Sequence, residues 1–109
     1  MATRVLLSVE DSDAEYYIIK MAIKEVAIPV QLCRVSDGEQ GLWFLHKTHG
    51  YEIAPRPDLI LLNVNLPKKN GFEVLAEIQA SESLRSIPVI IFTSASLATE
   101  KKKALALGA

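Results

Sequence analysis

Short apolar runs alternate along the chain with longer segments in which apolar residues recur every three or four positions. The short runs are residues 5–9, 30–35, 58–62 and 89–93. The longer segments are residues 13–28, 39–47, 71–80 and 97–107. Short apolar runs are typical of strands, and the longer period is typical of amphipathic helices. A strand followed by a helix, four times over, predicts βαβ units and a parallel sheet, which is an α/β fold.

Each predicted helix follows a residue that favours the helix N-cap. In three cases an acid or an amide stands three residues later, which is the spacing of the capping box. The caps and their partners are Ser12 with Glu15, Asp37 with Gln40, Asn70 with Glu73, and Ser96 with Thr99. These local signals fix where the helices are expected to begin.

The strands differ in how continuous their apolar residues are, which indicates their order in the sheet. The second strand (VQLCRV) includes polar residues, as an edge strand does, whereas the third and fourth are continuously apolar. Continuous apolar strands are usually covered on both faces. We expect the order 2-1-3-4, which leaves the apolar fourth strand at an edge, an arrangement that natural sheets normally avoid.

Composition limits the classes of function. Twelve basic and thirteen acidic residues give a net charge of −1, which predicts neither a nucleic-acid partner nor a charged membrane surface. Cys33 is the single cysteine, so a disulfide framework is excluded and a reducing compartment is favoured. The first strand begins by Val5, and no apolar run approaches the ~20 residues that span a bilayer. We therefore expect a cytoplasmic protein.

Polar side chains stand at the carboxyl ends of three predicted strands. Glu10 and Asp11 follow the first strand, Asn63 follows the third run, and Thr93 ends the fourth. In a parallel α/β sheet these ends meet at the ligand crevice, so the side chains should lie close together. Paired carboxylates with a backbone carbonyl suit Mg²⁺. An ordinary role beside the first helix explains Asp11 equally well, because acids interact favourably with a helix N-terminus.

Four segments, in this order and at this spacing, resemble the receiver domain of two-component response regulators. They are residues 5–11 (VLLSVED), 61–67 (LLNVNLP), 71–75 (GFEVL) and 88–94 (PVIIFTS). The resemblance covers the whole chain and implies a flavodoxin-like, doubly wound sheet. Residues 55–58 (PRPD), before the third strand, are similar to those of the stand-alone receivers that partner with bacterial phytochrome histidine kinases.

The resemblance also implies a role for each polar residue of the predicted pocket. Glu10 and Asp11 match the acidic pair that holds Mg²⁺ in the family. The main-chain carbonyl of Asn65 matches a further metal ligand, and Thr93 matches the switch hydroxyl. Asn63 occupies the position of the phosphoacceptor aspartate, whose side chain is also a ligand of the metal.

Two departures from the family pattern have consequences. Asn63 has no anionic oxygen, so we expect it to accept no phosphoryl group and to weaken Mg²⁺ binding. The family's fifth strand and fifth helix have no counterpart before Ala109, so we expect one C-terminally truncated receiver domain over residues 1–109. An apolar sheet face left uncovered favours self-association, and we expect a homo-oligomer.

The sequence thus predicts a signalling module that binds partners and is not an enzyme. The expected partner is a histidine kinase, and the resemblance suggests the phytochrome type. In the family the start of the first helix contributes to kinase docking, which would involve Tyr16 and Tyr17, although ordinary packing explains these residues as well. The alternative from another class is a Mg²⁺-dependent phosphatase-like enzyme that uses Asp11 and Asp13.

Overall fold

A computed structural model describes residues 3–92 of the chain. The strands are β1 (Arg4–Val9), β2 (Val30–Val35), β3 (Leu59–Asn63) and β4 (Val89–Phe92). The helices are α1 (Asp13–Lys24), α2 (Gly38–His46) and α3 (Gly71–Ala80). All strand pairs are parallel and the order is β2-β1-β3-β4, which confirms the predicted fold class and strand order. The predicted helix over 97–107, its cap Ser96 and the predicted switch hydroxyl Thr93 lie outside the described residues.

One face of the sheet forms the main core together with α2 and α3. Leu7 and Val9 of β1 and Ile60 and Leu62 of β3 are completely buried on this face. The buried side chains that the helices contribute to the same cluster are Leu42, Phe44, Leu45, Val74, Leu75 and Ile78. Complete burial of an aliphatic side chain stabilises the fold by roughly 1.5–3 kcal/mol, so this face holds the sheet together.

Helix α1 is attached much more loosely. None of its residues is buried, and Tyr17, Ile18 and Met21 are exposed to 60%, 68% and 40%. The helix ends at Lys24, four residues before the predicted end at Ile28. Pro29 excludes Ile28 from the helix, because a proline disfavours helical backbone in the residue before it. The α-helical pattern already ends at Glu25 and Val26, whose backbone N–H groups donate to carbonyls three residues earlier. None of the helices in residues 3–92 is long and apolar enough to cross a membrane.

The fourth strand is an edge within the described part of the sheet. It pairs with β3, and Ile90, on the face opposite the main core, is 52% exposed. Within residues 3–92, the outer face of β4 thus presents apolar surface at Ile90. Such surface is typical of a site where another element or another molecule packs.

Candidate functional site

The carboxyl ends of β1 and β3 bring Glu10 and Asn63 into direct contact. Val9 is paired with Leu62 in the sheet, so the residue after each stands at the same edge. The Asn63 amide nitrogen donates to both carboxylate oxygens of Glu10, at 2.9 Å each. Both residues are buried, with Glu10 at 0% and Asn63 at 5% exposure. The expected convergence of these two side chains is therefore observed.

Burial has the largest effect on the pKa of the Glu10 carboxylate. It raises the pKa of Glu10 above its ordinary value of 4.5, and the nearby charges of Glu15 and Asp11 raise it further. Hydrogen bonds from the Ser12 backbone N–H and from the Asn63 amide lower the pKa without cancelling the effect of burial. The amide thus offsets part of the cost of placing a carboxylate inside the protein.

The opposite end of the Asn63 amide is also fixed. Its oxygen accepts a hydrogen bond from the backbone N–H of Asn65 at 3.0 Å. The start of α3 packs against the same strand end, because a Cβ added at Gly71 would overlap the Asn63 carbonyl oxygen. The Gly71 N–H also donates to the carbonyl of Val64 at 2.9 Å. Only a glycine lets the helix approach Asn63 so closely.

Helix α3 begins with a complete capping box beside this loop. The side chain of Asn70 accepts from the Glu73 N–H at 2.9 Å, and Glu73 accepts from the Asn70 N–H at 3.0 Å. The other two predicted caps within residues 3–92, Ser12 and Asp37, also accept from the third residue of their helices. The sequence prediction of these three helix starts is confirmed.

An open cleft of about 500 Å³ lies at this edge of the sheet. Its polar lining comes from Asp11, Asn65 and Asn70, and its other walls are Val64, Leu66, Pro67 and Phe72. Within residues 3–92 no group of three His, Cys, Asp or Glu side chains is arranged to hold a metal ion. The roles of Glu10, Asp11, Asn63 and Asn65 as metal ligands therefore stay predictions. As arranged here the set fits a divalent cation poorly, since the amide N–H groups of Asn63 face the carboxylate oxygens that a cation would contact.

Arg34, on β2, is a residue of this region that sequence reasoning missed. Its Nε donates to the backbone carbonyl of Glu10 at 3.0 Å, and its Nη1 lies 2.8 Å from a carboxylate oxygen of Asp13. The guanidinium also lies over the ring of Tyr16. The sequence did offer a signal for Arg34. It is a basic residue near the end of the strand beside β1, and several acids follow β1.

The alternative enzyme reading needs Asp11 and Asp13 to act together. The side chain of Asp13 is 95% exposed and is paired with Arg34 in the first turn of α1. A general acid or nucleophile needs a site that orients the substrate and limits water, and these contacts provide neither. The described geometry gives no support to the phosphatase alternative.

A parallel sheet in the order 2-1-3-4, with Glu10 facing Asn63 across the carboxyl ends of two strands, is the arrangement of flavodoxin-like folds, which include receiver domains. The chain belongs to the response regulator receiver domain family, which it matches over residues 6–109. It is thus a receiver domain of two-component signalling, as the sequence resemblance predicted. Domains of this family are in general signalling modules rather than enzymes.

The chain is similar to the response regulator Rcp1 of Synechocystis sp., with 44% identity over 91 residues. The match covers 84% of this chain and 62% of Rcp1, so the chain spans less than two thirds of that relative. The structure of the Mn²⁺-bound form of Rcp1 matches at a TM-score of 0.90 and 39% identity, over 96% of this chain and 76% of the other. Divalent metal is thus bound by a related receiver.

The phosphorylated cyanobacterial phytochrome response regulator RcpA is a further structural relative. It matches at a TM-score of 0.91 and 36% identity, over 98% of this chain and 76% of its own. The resemblance to phytochrome response regulators that residues 55–58 suggested is thereby confirmed.

Proposed function

We propose that this chain is a receiver module that binds a histidine kinase and accepts no phosphoryl group. The observation on which the proposal depends is the contact of Asn63 with Glu10, with the amide nitrogen 2.9 Å from both carboxylate oxygens. An aspartate in this position attacks phosphorus through an anionic oxygen, forming an O–P bond while the P–N bond of phosphohistidine breaks and the imidazole leaves. The Asn63 amide has no such oxygen.

Neither the nitrogen nor the oxygen of the Asn63 amide is suited to attack a phosphoryl group. Its nitrogen lone pair is delocalised into the carbonyl, and its N–H groups are engaged by Glu10. Its oxygen is neutral and already accepts the N–H of Asn65. Attack through this oxygen would give a phosphorylated imidate, which forfeits amide resonance. Recognition of a partner requires none of these steps.

The partner that the proposal names is a histidine kinase of the phytochrome type. RcpA is a phytochrome response regulator, and its fold overlaps 98% of this chain. The exposed start of α1, including Tyr17 and Ile18, offers apolar surface to such a partner. A protein partner, rather than nucleic acid or a membrane, agrees with the net charge of −1, and the lone Cys33 agrees with the cytoplasm.

Incubation with a small phosphodonor and Mg²⁺, read by intact mass, tests the silent acceptor. We expect no phosphoryl adduct on the native chain and an adduct on Asn63→Asp. An adduct on the native chain that alkaline hydroxylamine removes would overturn the proposal. Binding of both proteins to a phytochrome-type kinase, measured by interferometry, should be similar, because the docking surface is unchanged.

We also propose that the chain self-associates through its open apolar surface. Ile18 of α1 and Ile90 of β4 are more than half exposed, and large exposed apolar patches are characteristic of interfaces. Sedimentation velocity should show an oligomer that dissociates in Ile90→Lys or in Ile18→Lys. Monomeric native protein at high concentration would contradict this part of the proposal. The matched control is Ile53→Lys, because Ile53 is 97% exposed and lies on the loop before β3, in neither α1 nor β4.

A further inference from the structure

We propose that the chain's own N–H groups, from Asn63 and Arg34, hold residues 10–13 in place, so that the order of this acidic loop does not depend on a divalent cation. The inference deepens the proposed function, since both take the Asn63 amide as the native state of the pocket. The two can nevertheless fail separately, because one concerns phosphoryl transfer and the other concerns metal.

On the inner side of the loop, the carboxylate of Glu10 is satisfied by the protein. The Asn63 amide donates to both of its oxygens at 2.9 Å, and the Ser12 backbone N–H donates to one of them at 3.0 Å. Glu10 is completely buried. A buried carboxylate needs such donors or a cation, and here the donors are present.

The orientation of the amide follows from its two neighbours. The carboxylate of Glu10, when ionised, can only accept hydrogen bonds, and the backbone N–H of Asn65 can only donate one. The reversed amide would place oxygen against oxygen on one side and N–H against N–H on the other. Asn63 therefore directs hydrogens, not an oxygen, toward Glu10. A cation in contact with that carboxylate would have to displace the amide and break these bonds.

On the outer side of the loop, Arg34 supplies the second set of donors. Its Nε donates to the carbonyl of Glu10 at 3.0 Å, and its Nη1 pairs with Asp13 at 2.8 Å. The loop has three acidic side chains within four residues, which repel one another. The attraction of a nearby positive charge offsets this repulsion. The side chain of Arg34 is 23% exposed, which limits screening by solvent. The loop is thus held from both sides by groups of the chain.

Cation binding and its effect on stability test the inference directly. The probes are Mn²⁺ binding, followed by electron paramagnetic resonance, and urea unfolding with Mg²⁺ or with a chelator. For the native chain we expect weak Mn²⁺ binding and the same urea midpoint in both buffers. Asn63→Asp should bind Mn²⁺ on the order of tenfold or more tightly, because a charge is restored at contact distance. Its midpoint should be low with chelator and should rise with Mg²⁺.

Two substitutions of Arg34 test whether this residue holds the loop. Arg34→Gln should lower the midpoint equally with and without Mg²⁺, and Arg34→Lys should recover part of the loss through the Asp13 pair alone. The matched control is Arg56→Gln, because Arg56 donates to the Ser86 hydroxyl and not to the acidic loop. If the urea midpoint of Arg34→Gln is the same as that of this control, Arg34 does not help to hold the loop.

Measurements on the native chain test whether the loop depends on a cation, even if Asn63→Asp folds poorly. A native midpoint that rises with Mg²⁺, or Mn²⁺ binding as tight as in Asn63→Asp, would overturn the inference. Neither result would produce a phosphoryl adduct on Asn63, so the proposed function would be judged separately by intact mass.

Discussion

The guanidinium carbon of Arg34, on β2, lies 4.6 Å from the centre of the Tyr16 ring, on α1. This contact joins an edge strand to a helix that buries none of its residues. A cation over the face of an aromatic ring is attracted by the ring's negative face. The pair therefore helps to hold the start of α1 against the sheet.

Replacement of Tyr16 tests how much this contact contributes. Tyr16→Leu removes the ring and should lower the free energy of unfolding by about 0.5–1 kcal/mol. Tyr16→Phe keeps the ring and should behave like the native chain in the same urea titration. Equal losses in the two variants would show that the hydroxyl, and not the ring, supplies the interaction.

Ser8 is expected to respond in the opposite direction. Its hydroxyl oxygen is buried in β1 and has no hydrogen-bond partner among residues 3–92. A buried polar group without a partner is costly, so Ser8→Ala should leave stability unchanged or raise it by roughly 1 kcal/mol. A urea midpoint well below that of the native chain would show that the hydroxyl has a partner in solution.

Two glycines of α2 should tolerate a methyl group very differently. A Cβ at Gly38 would overlap the backbone carbonyl of Lys69, whereas a Cβ at Gly41 would first meet a methyl of Val9 at 3.3 Å. Gly38→Ala should therefore cost several kcal/mol, on the order of the most damaging single substitutions, because backbone must move. Gly41→Ala should cost less, since a side chain can adjust. Thermal denaturation of both variants compares the two positions.

Cys33 is expected to react slowly with alkylating reagents at neutral pH. Burial raises the pKa of this thiol above its ordinary value of 9.0, and the hydrogen bond from Gln31 offsets only part of the effect. The folded state therefore favours the neutral thiol, and that contribution to stability is lost as pH rises through the raised pKa. Iodoacetamide labelling, followed by mass spectrometry, should accelerate at alkaline pH and in urea. Rapid labelling of the folded chain at neutral pH would contradict the assignment of an inert thiol.

Helix starts and strand order could be predicted because the signals are local or repeated. The caps Ser12, Asp37 and Asn70 each act on a residue three positions away, so sequence spacing is enough to find them. The strand order follows from apolar patterns together with the receiver resemblance. The end of α1 was misplaced because apolar residues continue past Lys24 while the backbone turns before Pro29.

Interactions between distant residues could not be predicted in the same way. The convergence of Glu10 and Asn63 follows from the rule that strand ends meet, but the direction of the amide depends on the Asn65 N–H. The position of Arg34 depends on its alignment with Ser8 in the sheet, which is a matter of register. Register joins residues 24 or more positions apart, and no local pattern specifies which side chains then meet.

The absence of buried residues in α1 implies an uneven resistance to local opening. Amide protons of this helix should exchange with deuterium long before those of β1 and β3, because separating α1 exposes little apolar surface. Trypsin should likewise cleave at Lys20 or Lys24 while the sheet is still folded. We therefore expect α1 to open separately from the sheet, and a docking protein that holds the helix in place to slow exchange and cleavage within it.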